Sequence, residues 1–284
     1  MDVRNAEVIA TRSDGKVFKY KSDDWQLLQI DGFDFAEIEV FKSARGVGDG
    51  EIITGQRRKS REITITARPR SIYGLREIRN AAIAYHSNRY TYDVACTYMG
   101  RTLVAKKCYL TASNLPLTNT RTTSKLTVVF LSGDPDLFAS TSSNVTLSEV
   151  TAKWKVTRSY ISGKPLVYAT AARADSIVIG YEGINSATIH LVVKFTGYVK
   201  DLHISVGRQQ AILHKEFNKG DVLIIDSSRS FAEINGNILP YADAGNYDFR
   251  QMTLEAGDNR VTVTAETGSA FTTAITYMGR YNGL

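Results

Sequence analysis

Short runs in which polar and apolar residues alternate, separated by turn residues at near-regular intervals, recur along almost all of this 284-residue chain and restrict it to β-rich architectures. The stretch from Gly46 to Arg70 is the most informative of them. A glycine-rich loop leads into a basic knot, Arg57, Arg58, Lys59 and Arg61, and then into Glu62 to Ala67, whose period-2 alternation marks a half-buried strand. A glycine-rich loop that cradles phosphate opens a helix, whose N-terminal amides face the anion, whereas this one opens a strand of β-branched residues. The stretch therefore reads as an exposed arm on a β-domain.

Upstream, Val8 to Thr11 and Val17 to Tyr20 flank the turn Ser13-Asp14-Gly15, and Trp25 to Ile30 and Ala36 to Phe41 bracket Asp31-Gly32, as in successive antiparallel hairpins. One helix is expected after Ser71, a candidate N-cap, with Ile72, Leu75, Ile78, Ala82 and Ile83 on one face and Asn88 closing its end. Strands resume at Thr91 to Thr97, Thr102 to Thr111 and Lys125 to Leu131. Residues 139–144, ASTSSN, read as a polar linker, which divides the chain into an N-terminal domain, 1–138, and a second domain, 145–284. In the second domain, short strands from Val167 to Tyr277 are separated by turns such as Lys219-Gly220 and Asn235-Gly236-Asn237. Pro165 and Pro240 both lie outside them. That spacing implies a two-sheet sandwich of jelly-roll or galectin-like form.

Charge is distributed unevenly. The chain carries 35 Lys and Arg against 29 Asp and Glu, and the first 140 residues hold 21 of these bases and 16 of the acids. Within residues 57–70, six bases face only Glu62. Such a patch can meet nucleic acid or an acidic protein neighbour over a screening length of about 8 Å, or it can keep a sheet edge soluble. No run approaches the roughly 18 apolar residues of a membrane span, and the start, MDVRNAEVIATRSDG, lacks the pattern of a signal peptide, so neither membrane insertion nor export by that route is expected.

No catalytic constellation is evident. There is no G-x-S-x-G, no Cys that pairs recognisably with a His, and no spaced carboxylate pair, so the chain reads as no enzyme, with no cofactor. Cys96 and Cys108 read as buried free thiols. If Thr196-Gly197 were a two-residue turn, His190 would lie opposite His203 with Asp201 on the same face, but a solvated histidine pair is commoner than a metal site and no metal is expected. His86, at the helix end, reads as a partner of the helix dipole, and His214 stands alone. Among 15 tyrosines and two tryptophans, Trp154, Tyr160, Tyr181 and Tyr198 are candidates for a glycan-stacking platform, Tyr181 and Tyr198 foremost, although tyrosine also suits any half-wet pleat.

The order of parts resembles the distal tail proteins of siphophages, the bacteriophages with long non-contractile tails. The N-terminal carriers are Leu28-Gln29-Ile30-Asp31-Gly32, the Gly48-Asp49-Gly50 turn, the arm into Arg61-Glu62-Ile63-Thr64-Ile65-Thr66-Ala67, the single helix, and Phe130 to Phe138. The later carriers are Lys219 to Asp226, Asn235-Gly236, Leu254 to Asn259, Ile275-Thr276-Tyr277 and Arg280-Tyr281. One departure is Asp134-Pro135-Asp136, where the family has an aromatic-rich or proline-flanked context. The resemblance implies a mainly β protein: an N-terminal split β-barrel with one helix and a β-arm, then a galectin-like sandwich. It further implies a homohexameric ring at the distal end of the phage tail, assembled in the host cytoplasm, with a channel through which DNA passes. The implied partners are the tail tube protein, a tail-tip fibre or tail-associated lysin protein, and a receptor-binding protein. Arg57, Arg58, Lys59 and Arg61 would then meet a neighbouring subunit or line the channel. The alternative is a host-surface adhesin whose sandwich binds carbohydrate.

Overall fold

In a computed structural model of the chain the described residues are 3–46, 49–71, 74–116, 124–152, 169–245 and 247–284. They form two compact units, one of Met1–Ser140 with Arg280–Leu284, the other of Thr141–Gly279. Both are mainly antiparallel β.

The first unit contains β1 (Ala6–Arg12), β2 (Val17–Lys19), β3 (Trp25–Asp31), β4 (Ile38–Ala44), β5 (Glu51–Arg58), β6 (Arg61–Pro69), helix α1 (Leu75–Tyr85), β7 (Thr91–Tyr98), β8 (Arg101–Asn114), β9 (Leu126–Ser132) and β10 (Leu137–Ala139). Its main sheet runs β2-β1-β7-β8-β9-β6-β3, an open ladder whose ends are β2 and β3, and β10 pairs both with β8 and with the strand Arg280–Tyr281. Alternation dictates the core: in β6 the buried positions are Arg61, Ile63, Ile65, Ala67 and Pro69, and β9 buries Leu126, Val128, Phe130 and Ser132 in the same phase. Among the described residues, strands β4 and β5 pair only with each other, and they form the arm, with a bulge after Phe41.

Helix α1 starts later than its sequence suggests, because Gly74, in the left-handed conformation at φ 70°, occupies the N-cap and Ser71 lies outside the helix. Its buried residues are Ala82 and Tyr85, while Ile83 is exposed, and it ends at His86 before reaching Asn88. Tertiary packing accounts for that early end: His86 is drawn into an aromatic cluster with Phe18, Tyr20 and Tyr85, at ring-centroid distances of 4.9, 5.9 and 5.0 Å. Ile72 lies outside the described residues.

The second unit contains β11 (Ser143–Thr146), β12 (Ser148–Ala152), β13 (Ala169–Arg173), β14 (Ser176–Tyr181), β15 (Ala187–Phe195), β16 (Val199–Val206), β17 (Gln209–Phe217), β18 (Val222–Asp226), β19 (Ala232–Ile234), β20 (Asn237–Ile238), β21 (Thr253–Leu254), β22 (Gly257–Thr267) and β23 (Phe271–Tyr277). One sheet runs β11-β23-β15-β18-β19-β20 with β21 beside β15, a second runs β14-β22-β16-β17, and β12 pairs with β13. The inner positions of both larger sheets share one core, in which Phe195 of the first stacks on Phe217 of the second with centroids 4.3 Å apart.

Two boundaries differ from the sequence reading. Of the linker 139–144, Ala139 closes β10 and Ser143 opens β11, because each segment finds a partner more than a hundred residues later. Residues 280–284, assigned by sequence to the second domain, belong to the first unit.

Candidate functional site

The basic knot separates into two kinds of residue. Arg57 and Lys59 stay on the arm: the Arg57 guanidinium pairs with Glu39 at 2.8 Å and lies over the Phe41 ring, and Lys59 Nζ donates to Glu37 at 2.8 Å, a bond that raises its pKa. These pairs are partly or well exposed, so each contributes little to stability. Arg58 and Arg61 point the other way. Arg58 reaches the nearly buried carboxylate of Asp136 and, at 2.9 Å, the Asn282 side chain.

Arg61 is 2% exposed, which corrects the expectation of an exposed arm residue. Its Nε donates to the Pro135 carbonyl at 2.9 Å, Nη1 to those of Gly32 and Asp34 at 2.6 and 2.7 Å, and Nη2 to that of Asn282. Burial pulls the guanidinium below its ordinary pKa, against the opposing pull of Asp34 and Asp136. The signal was available in the sequence, since Arg61 is in period-2 phase with Ile63, Ile65 and Ala67 and therefore faces inward.

Residues that the sequence reading named only for the family resemblance, not as site residues, complete this site. Asp136 also accepts from Arg280 Nε at 2.8 Å, and Arg280 Nη2 reaches Asp134 at 2.7 Å. Two glycines allow the close approach. Gly32 has φ +92° and a Cβ there would collide with the Glu62 carbonyl oxygen, while a Cβ on Gly283 would stand 2.9 Å from the backbone of Asp34. The arm exposes large apolar groups along its length: Ile53 (68%), Ile38 (56%), Ile52 (49%) and, at its root, Phe35 (82%).

The other sequence candidates are placed differently. His190 and His203 do not pair, because β15 and β16 belong to different sheets; His190 faces Asp226 and Thr276, and His203 faces Ile212 and Thr264. Among the described residues no His, Cys, Asp and Glu cluster has metal-binding geometry. His203 instead lies with Asp201, His214 and Glu266 along a shallow groove on the open face of the β14-β22-β16-β17 sheet, where His214 Nδ1 is 3.7 Å from Asp201. Exposed Tyr198 adjoins this face, its hydroxyl pKa raised by partial desolvation and by a hydrogen bond with Glu216.

Tyr181 is 3% exposed, donates its hydroxyl to the Asn185 carbonyl and packs edge-on to Tyr277, so it offers no stacking surface and leaves the platform candidates. Trp154 and Tyr160 lie outside the described residues. Buried His86 does not serve the helix dipole as a cation: burial holds its pKa at about 4, and the neutral ring bonds Tyr20 Oη at 2.7 Å and the Ala82 carbonyl at 2.8 Å. Cys96 and Cys108 are buried free thiols pushed up to about 12.

Residues 182–281, most of the second unit and the strand that returns to the first, match the family model described as siphovirus-type tail component, C-terminal domain. This segment is similar to the C-terminal domain of siphovirus-type tail components. The resemblance to siphophage distal tail proteins drawn from short motifs accordingly holds, and over residues 182–281 it rests on a continuous match.

The fold of the whole chain is similar to the crystal structure of SPP1 Dit, described as a paradigm of the hub adsorption apparatus in phages infecting Gram-positive bacteria. The TM-score is 0.63 at 15% identity, over 96% of this chain and 98% of that one. Weaker similarity extends to chains of the phage p2 baseplate in its activated conformation with Ca (TM-score 0.45) and with Sr (0.44), each at 9% identity over 95% of this chain and 97% of the other. A comparison with curated protein sequences yields no match.

Proposed function

We propose that this tail component is a structural hub at the distal end of a siphophage tail, a homohexameric ring built from the first unit. It would join the tail tube protein to a tail-tip fibre or tail-associated lysin protein and to a receptor-binding protein, leave a channel for DNA in transit, and perform no chemistry. The observation that carries the reading is the arm. A two-stranded hairpin that, among the described residues, pairs with no other strand, carries the ion pairs Lys42–Glu51, Arg57–Glu39 and Lys59–Glu37 within itself and its root, and leaves Ile38, Ile52 and Ile53 bare is built for burial elsewhere. Supplied once by each copy and received once by each, it makes a heterologous interface, which closes into a ring when the rotation per subunit is right. Arg57 and Lys59 would lie at the margin of that interface, with Arg58 and Arg61 holding the arm in place.

Negative-stain imaging and sedimentation test this. Wild-type protein should be a six-fold ring, and Ile53→Asp, a change at a well-exposed position, should leave the monomer folded and dissociate the ring. An unaltered oligomer in that variant would remove the arm from the interface.

One observation favours a second reading, that of a carbohydrate-binding adhesin: Asp201, His203, His214 and Glu266 line one groove on the open sheet face, and exposed Tyr198 lies near Asp201. Calorimetry with host cell-wall fragments tests it. Saturable binding that is lost in Tyr198→Ala and retained in Tyr181→Phe would support it, and no binding by wild type would dismiss it.

A further inference from the structure

We propose that Asp136 and Arg61 form a relay that couples the two strands carrying the second unit to the root of the arm. The chain crosses between the units twice, after β10 and before Arg280, and these two crossings are hydrogen-bonded to each other through Leu137 with Tyr281 and Phe138 with Arg280. A displacement of the second unit is transmitted along the chain through this pair of strands.

They hold both legs of the arm. The leading leg leaves β3 through Gly32, Phe33 and Asp34, and the trailing leg ends at Arg58, three residues before β6 begins at Arg61. Asp136, immediately before β10, accepts from Arg58 of the trailing leg and from Arg280 of the returning strand. Arg61, at the start of β6, ties three segments together with one guanidinium: Pro135 beside β10, Asn282 beside the returning strand, and Gly32 and Asp34 on the leading leg. The Leu284 amide adds a bond to the Phe33 carbonyl at 2.8 Å.

These contacts are charge-assisted, directional and nearly or fully buried at Asp136 and Arg61, so they do not slide gradually as apolar packing can; they hold or they break. The pairs Arg57–Glu39 and Lys59–Glu37, by contrast, tie the legs only to each other. The consequence is a hub in which whatever shifts the second unit also loosens or re-aims the arm. This coupling stands whether or not the arm closes a ring.

Hydrogen exchange on the full chain, with limited trypsin cleavage after Arg58 and Lys59 as a second readout, decides the matter. Arg280→Ala and Asp136→Asn should each raise exchange by about tenfold or more in residues 32–41 and 51–61 and speed cleavage at the arm root, with β1 and β7 protected as in wild type. Arg57→Ala should leave residues 134–138 and 280–284 unchanged. If Arg280→Ala exposes β1 and β7 as well, the reading passes to Arg280→Lys, which keeps the charge and loses the two-armed fork. Freed exchange in 280–284 with the arm as protected as in wild type, in either variant, overturns the proposal.

Discussion

Replacing Arg61 by Ala removes a guanidinium that is 2% exposed and is bonded to the carbonyls of Gly32, Asp34, Pro135 and Asn282. Each buried carbonyl left without a partner costs about 1–3 kcal/mol. Water entering the vacated space recovers part of this, because a guanidinium-sized void lined by carbonyls is polar and roomy enough to be wet. The net loss should be about 3–5 kcal/mol, a large fraction of the roughly 5–15 kcal/mol that a domain possesses. Arg61→Lys should fall between wild type and Ala, since an ammonium can reach some of the four acceptors but not all of them in fixed geometry. Urea unfolding followed by hydrogen exchange resolves the loss by region, and it should be confined to residues 3–140 and 280–284. A loss below about 1 kcal/mol, or one spread equally into the second unit, would refute the assignment of Arg61 as the buried anchor of the arm root.

Three further outcomes are expected. His86 is held at about 4 by burial against an ordinary 6.5, so the folded state resists its protonation more than the unfolded one; its contribution is intact above about 6.5 and is lost as pH falls, reaching about 3 kcal/mol at pH 4. His86→Gln should therefore lose less stability than wild type between pH 7 and pH 4, and equal slopes would contradict the buried neutral imidazole. Gly32→Ala, forced to φ +92° with its new methyl against the Glu62 carbonyl, should destabilise the first unit by about 2–4 kcal/mol in thermal unfolding, whereas Gly15→Ala, at φ +85° in open space, should cost about 1–2 kcal/mol. Cys96 and Cys108, buried and pushed up to about 12, should resist a thiol reagent at pH 8 until urea exposes them; rapid labelling of the native protein would show that the core around them opens.

Alternation and turn chemistry are local properties, and so the strands around Val8, Ile63, Leu103, Leu191 and Ile225, the mainly β class and the existence of an arm were legible in the sequence. The inward phase of Arg61 was equally legible, because period-2 alternation decides its face, but membership of a run of bases obscured it.

Other features were settled only in three dimensions. Whether β15 turns back on β16 or crosses to the other sheet separates His190 from His203, and nothing within residues 187–206 carries that choice, which is made by β18 and β23 competing as partners for β15. Tyr181 and Tyr198 are the same residue type in similar surroundings of sequence, yet one is buried against Tyr277 and the other is left on the surface. The pairing of Arg280 with Asp134 and Asp136 joins residues 144 to 146 positions apart. Local pattern states which groups need partners; which distant group supplies one is decided when the core closes and loop-closure entropy has been overcome.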